Sequence, residues 1–384
     1  MDFSFNDEQK QFQESLAKFI ERDYGFERRR AYQALPEGFS RDIWAQFADM
    51  GLLGLPFDEQ YGGLGAGVAE MLLAMTAIGN GLVLEPYLAT VIMAGGLISR
   101  CGNQAQKQAL LPPIAAGKRI VVTALAEPGA RYDLNRVETT ATRKGGDTML
   151  SGRKAVVLHG AQADQLIVSA RSSGDSSDDS SNNVAAIDGI SLYLVDRGAA
   201  GVSVRDYRTV DGLRAADITF NEVRVGPEAL LGAEGGAYAA IDAIADAGAA
   251  ALCAEAVGVM ETLNALTLEH LKTRQQFGHP IGGFQVLQHR AADMFIHAEQ
   301  SKSMAYLAAM KLSSTDVAER RRVVSAAKVH VGRSGRAISQ ASTQLHGGMG
   351  VTNELAAAHY ARRLTMIDFN LGDSDHHLKR FINA

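Results

Sequence analysis

The sequence predicts an α+β protein made of a helical domain, a β domain and a second helical domain. The prediction depends on where the spacing of apolar residues changes. Apolar residues recur at helical spacing up to about residue 118, fall into short β-branched runs from Ile120, and return to helical spacing after Gly235. At 384 residues the chain is too long for one core of usual size. We therefore predict domains at 1–118, 119–230 and 231–384.

The first domain is predicted to consist of helices alone. Asn6 is a candidate N-cap that precedes two acidic residues, and Phe12, Leu16 and Phe19 then recur on one helix face. Further apolar helices are predicted near residues 42–50, 67–79 and 87–101, the last opened by a proline, which the first turn of a helix tolerates.

The middle domain is predicted to be a small antiparallel β-barrel, with a sandwich as the alternative. Its apolar segments are short, rich in β-branched residues and separated by Gly or Asp, as in strands joined by turns. The polar stretch from Ser172 to Asn183 has too few apolar groups to order itself and is predicted to be a mobile hairpin tip. We predict strands at 120–125, 137–142, 147–152, 154–158, 165–170, 190–195, 202–205 and 216–220.

The last domain is predicted to be an up-down four-helix bundle. Apolar residues with helical spacing return over residues 238–273, 284–312, 317–345 and 352–364. Small residues dominate residues 237–256, which permits neighbouring helices to approach closely. We expect this domain to make the oligomer contact as well.

Composition excludes several classes of partner. The formal charge of −5 is small, and no basic block suggests nucleic acid or an anionic membrane. Asp242, Asp246 and Glu255 interrupt the longest alanine-rich run, which argues against a membrane span. The acidic first segment does not resemble a signal peptide.

Cysteine and histidine usage indicates a reducing compartment and no metal site. Cys101 and Cys253 lie far apart in apolar surroundings, which favours reduced core thiols over a disulfide. His376 and His377 are adjacent, and adjacent residues do not share a helix face as metal ligands would. We therefore expect a cytoplasmic protein without a metal ion.

The turn between the first two helices of the last domain contains an arginine, which is always charged, and glycines, whose backbone no side chain covers. Arg274 can bind two phosphate oxygens at once, and the glycines that follow it let a ligand approach the main chain. Phe277 offers a flat apolar face, and Gln285 and Gln288 offer amide groups one helical turn apart. From these residue types alone, an ordinary surface turn with an arginine is equally plausible.

This turn belongs to an ordered set of motifs that resembles the acyl-CoA dehydrogenase family. The pattern Arg-x-x-Phe-Gly-x-x-Ile-x-x-Phe-Gln-x-x-Gln is similar to the C-terminal signature of that family. Four further segments resemble its other parts in the same order: 51–65, 125–130, 212–225 and 344–352. Together with the turn at Arg274 they make five motifs that extend over nearly the whole chain. The resemblance implies the acyl-CoA dehydrogenase fold and FAD as the cofactor.

The resemblance also implies which residues contact FAD. Carried over by position, Arg274 and Phe277 contact the pyrophosphate region and Gln285 the adenine end. The ADP backbone meets Gln344, Gly347 and Gly348, and the flavin side of the middle domain corresponds to Leu125, Ala126, Val156 and Leu158. No Gly-x-Gly-x-x-Gly follows a strand, which argues against a nicotinamide cofactor bound in the usual way.

The flavin-side motifs depart from the family pattern. Ala126 stands where the family usually has Thr, and Val156 and Leu158 stand where it has Trp and Thr. Arg131 and Tyr132 replace a Gly-Ser pair. Side-chain hydroxyl donors to the flavin ring are therefore missing at these positions, and backbone N–H groups would have to serve.

The family's catalytic base is also missing from its usual positions. The implied reaction removes a proton from the carbon next to a thioester, which requires a carboxylate in a dry pocket, and transfers a hydride from the next carbon to the flavin. The two family positions for that glutamate correspond to Gly248 and Leu371, and neither is acidic. Asp368 is the best substitute if the segment carries an insertion, whereas Asp246 and Glu255 are poorer candidates because of their helical position and apolar surroundings.

These observations predict a tetrameric acyl-CoA dehydrogenase subunit that pairs with a larger subunit carrying the base. Tyr24–Arg29, Ala130–Leu134 and Asp373–Leu378 most resemble the small-subunit type of pimeloyl-CoA dehydrogenase. The implied partners are an acyl-CoA substrate and electron-transfer flavoprotein as electron acceptor. Three alternatives stay open: a homotetramer that uses Asp368, an acyl-CoA elimination that needs no base, and a non-catalytic subunit that completes a partner's FAD site.

Overall fold

The structure is a computed structural model that describes residues 5–172 and 187–384. Most of the predicted hairpin tip, Ser172 to Asn183, lies outside the described residues. The described chain forms two compact units, each assembled from separate segments. One comprises the described residues of Met1–Tyr32, Gly67–Val83 and Asp246–Ala384, and the other those of Gln33–Ala66 and Leu84–Ala245. The three-domain division stays a prediction.

The predicted N-terminal helices are present, and two helices come in addition. Asn6 caps the first helix, since its side chain accepts a hydrogen bond from the backbone N–H of Gln9. The additional helices are α2 (Phe26–Ala34) and α6 (Gln104–Ala115). Helix α6 was not predicted because it contains Pro112 and Pro113 in its last turn. The helices are α1 (Asp7–Asp23), α2 (Phe26–Ala34), α3 (Arg41–Asp49), α4 (Val68–Gly81), a π-helical segment (Leu88–Gly95) that continues into α5 (Gly96–Cys101), and α6 (Gln104–Ala115).

The described residues in the middle of the chain form an eight-stranded sheet. Its strand order is β6-β7-β3-β2-β4-β5-β8, and β1 pairs with β4 beside that path. Two predicted strands merge into β3, which has irregular register near Gly152 and again between Lys154 and Val157. The strands are β1 (Val121–Ala124), β2 (Thr140–Lys144), β3 (Asp147–Leu158), β4 (Gln165–Ser172), β5 (Ile190–Asp196), β6 (Val202–Arg208), β7 (Arg214–Val225) and β8 (Leu230–Leu231).

This sheet corrects the prediction of an antiparallel barrel. Among the described residues the outer strands β6 and β8 each pair on one side only, so the sheet is open. Strand β8 has two residues and offers too few backbone groups to close it. The sheet is also mixed, because β1 and β2 both run parallel to β4 along the same edge. Val121–Ala124 pair with Gln165–Val168, and Thr140 then pairs with Arg171.

The C-terminal helices lie close to their predicted positions, with one more at the end of the chain. Helices α8, α10 and α11 all pack against α9, so the description as a four-helix bundle is not confirmed. The fourth predicted helix begins and ends later than expected, which places Asp368 on a helix rather than after it. These helices are α7 (Tyr238–Thr273), α8 (Gln285–Lys311), α9 (Val317–His346), α10 (Ala356–Phe369) and α11 (Ser374–Ile382).

Helices α4 and α7 approach each other through two glycines. A Cβ atom built on Gly79 would lie 2.0 Å from the Glu255 carbonyl oxygen, and one built on Gly258 would lie 2.0 Å from that of Thr76. Side chains at these positions would therefore push the two helices apart. By length and composition α7 could cross a bilayer, but 83% of its most apolar stretch is buried within the protein, and buried core helices meet the same criteria.

Candidate functional site

The turn after α7 exposes the arginine and the phenylalanine that the sequence singles out. Gln275–Gln276 and His279–Pro280 form a two-residue ladder, and Phe277 at its tip is 87% exposed in a left-handed conformation. The guanidinium of Arg274 is exposed, and within residues 5–172 and 187–384 it makes no side-chain hydrogen bond or ion pair. It is therefore available to bind an anion.

The end of α9 adjoins this turn through two stacked histidines. The rings of His270 on α7 and His346 on α9 lie 4.5 Å apart between centroids. Burial lowers the pKa of His270, and the nearby His346 and Arg274 lower it further. The stack was not predicted, because nothing in the sequence indicates that two helix ends so far apart in the chain meet.

Gln344, Gly347 and Gly348 are close neighbours of His346 in the chain, at the end of α9. All three are exposed, and a Cβ atom built on either glycine would meet nothing within 4 Å. Arg274 and this glycine turn therefore lie at adjoining helix ends, with a cation on one and open backbone on the other. That combination suits a phosphate-bearing ligand.

The two glutamines in the first turn of α8 have different roles. The side chain of Gln288 donates to the Gly282 carbonyl oxygen at 2.9 Å and so fixes the turn. Gln285, the first residue of α8, is exposed, and its amide makes no hydrogen bond among the described residues. Gln285 is therefore the one of the pair that is available to a ligand.

In the sheet unit, the structure brings Leu125, Ala126 and Val156 together. The N–H of Ala155 donates to the carbonyl oxygen of Ala126 at 2.9 Å. Val156 is 53% exposed in a left-handed conformation, and its N–H donates to Asp217 at 3.2 Å. Leu125 is buried, and Leu158 lies half-buried further along β3. The bulged part of β3 and the loop after β1 are thus joined by a backbone hydrogen bond beside the exposed Val156.

A buried ion pair lies next to this junction of β3 and the loop. The ammonium of Lys154 donates to Glu127 at 2.6 Å, to Ser169 at 2.8 Å and to the Leu125 carbonyl oxygen at 3.3 Å. Burial lowers the pKa of Lys154 to about 8. Burial opposes ionisation of Glu127 as well, but Lys154, the Thr139 hydroxyl and the Glu138 N–H lower its pKa on balance. Neither residue was predicted, although a charged residue at an inward-facing strand position is a signal that could have found Lys154.

Each acid considered as a base is bound by other side chains. Asp368 accepts hydrogen bonds from Ser374 at 2.8 Å and from Arg336 at 3.5 Å. Glu255 accepts two from Arg363 at 2.5 and 2.8 Å, and Asp246 is paired with two arginines at 2.8 and 2.6 Å. All three carboxylates are buried. They link helices of the unit that contains Asp246–Ala384.

The two family base positions carry no acid, yet the backbone at one of them is firmly fixed. Gly248 is buried on α7, and Leu371 is half-buried in a left-handed conformation. Lys328 donates to three carbonyl oxygens before Leu371, at 2.6 to 3.3 Å. Burial lowers the pKa of His377 to about 2, so this neutral ring donates from Nε2 to the Leu371 carbonyl oxygen at 3.0 Å.

Comparison with known proteins agrees with the motifs. Profiles described as the N-terminal, middle and C-terminal domains of acyl-CoA dehydrogenase match residues 6–118, 122–223 and 234–382. Mitochondrial isovaleryl-CoA dehydrogenase from Solanum tuberosum is 29% identical over 97% of this chain and 89% of that protein.

Solved structures are similar over the whole chain. A variant of the Tcur3481-Tcur3483 steroid ACAD has a TM-score of 0.86 and 28% identity, over 98% of this chain and 97% of that one. The FAD complex of PigA has a TM-score of 0.89 and 25% identity, over 100% and 98%. Taken together, these matches show that the chain belongs to the acyl-CoA dehydrogenase family and is a flavin-dependent oxidoreductase that uses FAD.

Proposed function

We propose that this chain is the FAD-binding small subunit of a two-subunit acyl-CoA dehydrogenase, whose larger subunit supplies the proton-abstracting base. The main support for the proposal is that each of the three acids considered as a base, Asp368, Asp246 and Glu255, is already bound by an arginine or a serine. Gly248 and Leu371 themselves offer no proton acceptor. A general base typically contributes about 10² to 10⁴-fold in rate, so a chain without one would be a slow catalyst.

The residues present fit FAD. Arg274 offers the charge for the pyrophosphate, Gly347 and Gly348 offer uncovered backbone, and Phe277 and Gln285 are exposed beside them. On the flavin side, the loop at Leu125 and Ala126 offers main-chain groups in place of hydroxyls. Bound FAD would supply the hydride acceptor, and the residues of this chain would bind and orient it.

Assembly into a tetramer is part of the same proposal. Helices α7 and α8 expose large apolar side chains, among them Leu268, Val286, Phe295 and Ile296, each at least 46% exposed. A groove of about 270 Å³ between α7 and α8 is lined by Leu268 and Phe295 as well. Contiguous apolar surface of this kind is typical of protein contacts.

The finer assignments follow from the resemblance alone. They are the pimeloyl-CoA small-subunit type, electron-transfer flavoprotein as electron acceptor, and a cytoplasmic location. The name of the Tcur3481-Tcur3483 steroid ACAD structure joins two designations, which is compatible with a two-subunit arrangement in this family.

Anaerobic bleaching of the bound flavin by a panel of saturated acyl-CoAs tests the proposal. We expect slow bleaching for the chain alone and fast bleaching after co-expression with its larger co-encoded subunit. Asp368→Asn should leave the slow rate unchanged, because Asp368 already binds Ser374 and Arg336. Leu371→Glu should raise it, because the backbone at that position is already fixed. Fast bleaching by the chain alone that disappears in Asp368→Asn would refute the two-subunit proposal and favour the homotetramer.

A further inference from the structure

Three consecutive residues of the loop after β1 are tied to two consecutive residues of β3. The ammonium of Lys154 binds the Leu125 carbonyl oxygen and the Glu127 carboxylate, and the N–H of Ala155 binds the Ala126 carbonyl oxygen. The orientation of the Leu125–Glu127 backbone therefore depends on where the Lys154 side chain lies.

Glu127 connects the same network to the other end of the loop. Its carboxylate accepts the N–H groups of Glu138 and Thr139 at 2.6 and 3.1 Å and the Thr139 hydroxyl at 2.6 Å. Lys154 is fully buried and the Glu127 side chain is 3% exposed. The pair thus holds both ends of the segment 125–139 from inside the sheet.

Stability alone does not account for this buried pair. A buried ion pair is often no more stable than well-packed apolar residues of the same volume, because desolvation offsets the attraction. What apolar residues could not do is fix the direction of a carbonyl group, since they donate no hydrogen bond. The Leu125 carbonyl oxygen receives such a bond from Lys154, and the next residue, Ala126, is bonded through its carbonyl oxygen to the N–H of Ala155 beside the exposed Val156.

We propose that Lys154 is a positioning residue, whose ammonium sets the backbone of Leu125–Glu127 against which the flavin of this chain binds. The inference rests on the proposed function in that it requires FAD to bind at this loop. Lys154 donates to the loop from inside the sheet and does not itself touch the cofactor. Its removal should therefore change how FAD is bound, in addition to the loss of stability caused by leaving the buried Glu127 carboxylate without its cation.

The test compares Lys154→Met with Thr139→Val in the purified flavoprotein. Thr139→Val removes the 2.6 Å hydrogen bond from the Thr139 hydroxyl to the Glu127 carboxylate. It leaves the hydrogen bonds to the Leu125 and Ala126 carbonyl oxygens intact. We expect Lys154→Met to raise the Kd for FAD about tenfold, or ~1.4 kcal/mol, and to change the visible spectrum of the bound flavin. Thr139→Val should lower thermal stability while the Kd and the spectrum stay at wild-type values. Equal effects of the two variants on Kd and spectrum would overturn the positioning role.

Hydrogen–deuterium exchange observes the loop itself and separates the two possible failures. In Lys154→Met, and more weakly in Lys154→Gln if the first variant does not fold, the Ala155 amide should exchange faster than in the wild type. Unchanged protection of Ala155 would overturn the inference while leaving the proposed function intact. A wild-type chain that takes up no FAD, alone or with its larger subunit, would overturn the proposed function, and the flavin role of Lys154 with it.

Discussion

Removing Arg363 should expose how strongly Glu255 depends on its partner. The two side chains are only 7% and 4% exposed and share two hydrogen bonds of 2.5 and 2.8 Å. Arg363→Met would leave a buried carboxylate without its cation, a change that typically costs about 3–5 kcal/mol. Replacing both partners in Glu255→Leu/Arg363→Met removes the unpaired charge, so the double variant should recover most of that loss.

A matched control is available in the sheet. Arg224→Met is the same substitution in a pair whose arginine is 75% exposed, and exposed pairs contribute only about 0–1 kcal/mol. Thermal unfolding of the four proteins side by side, followed by circular dichroism, gives the order of stabilities. If Arg363→Met were no less stable than Arg224→Met, or if the double variant were no more stable than Arg363→Met, the reasoning about Glu255 as a structural carboxylate would be wrong.

Three further predictions concern the cofactor, helix packing and pH. Arg274→Ala should raise the Kd for FAD about tenfold or more, since it deletes a charge-assisted contact worth about 1.5–3 kcal/mol; unchanged flavin occupancy after dialysis would contradict this. Gly258→Ala should lower the melting temperature because its Cβ would lie 2.0 Å from a backbone oxygen, whereas Gly146→Ala, with nothing within 4 Å, should not. Burial lowers the pKa of Lys328 from 10.5 to about 8. Between pH 8 and 10.5 the unfolded chain therefore holds a proton on Lys328 that the folded chain has lost, so the Lys328 contribution to the free energy of unfolding should rise with pH across that window. The difference in this free energy between wild type and Lys328→Met, measured from pH 8 to 10, should show that rise, and a flat difference would refute it.

Local patterns in the sequence were sufficient for most elements and insufficient for their pairing. The Asn6 cap and the long C-terminal helices follow from short-range spacing, which a single sequence displays. The parallel pairing of Thr140 with Arg171 joins strands across a turn and another strand, and no local signal encodes it. The sequence predicts two strands, 147–152 and 154–158, but they form the single strand β3, with irregular register near Gly152.

The candidate site shows the same limit. Motif resemblance predicts Arg274, Phe277 and the glycine turn as site residues, because they stand at characteristic spacing, and the structure leaves them exposed. It did not find the His270–His346 stack, which joins residues that become neighbours only when α7 and α9 pack. Nor does sequence show that Asp368 and Glu255 are already bound, since their partners come from other helices.

The pairing of β1 and β2 along one edge of β4 has a consequence for engineering. Ala124 lies opposite Val168 and Thr140 opposite Arg171, so the segment 125–139 leaves and rejoins the sheet at points three positions apart on one strand, or about 10 Å at the rise of a β-strand. The entropic cost of closing such a segment grows only slowly with its length. A segment of different length could therefore be transplanted between these two anchor points without redesigning the strands, provided that it keeps a carboxylate that can pair with the buried Lys154 of β3.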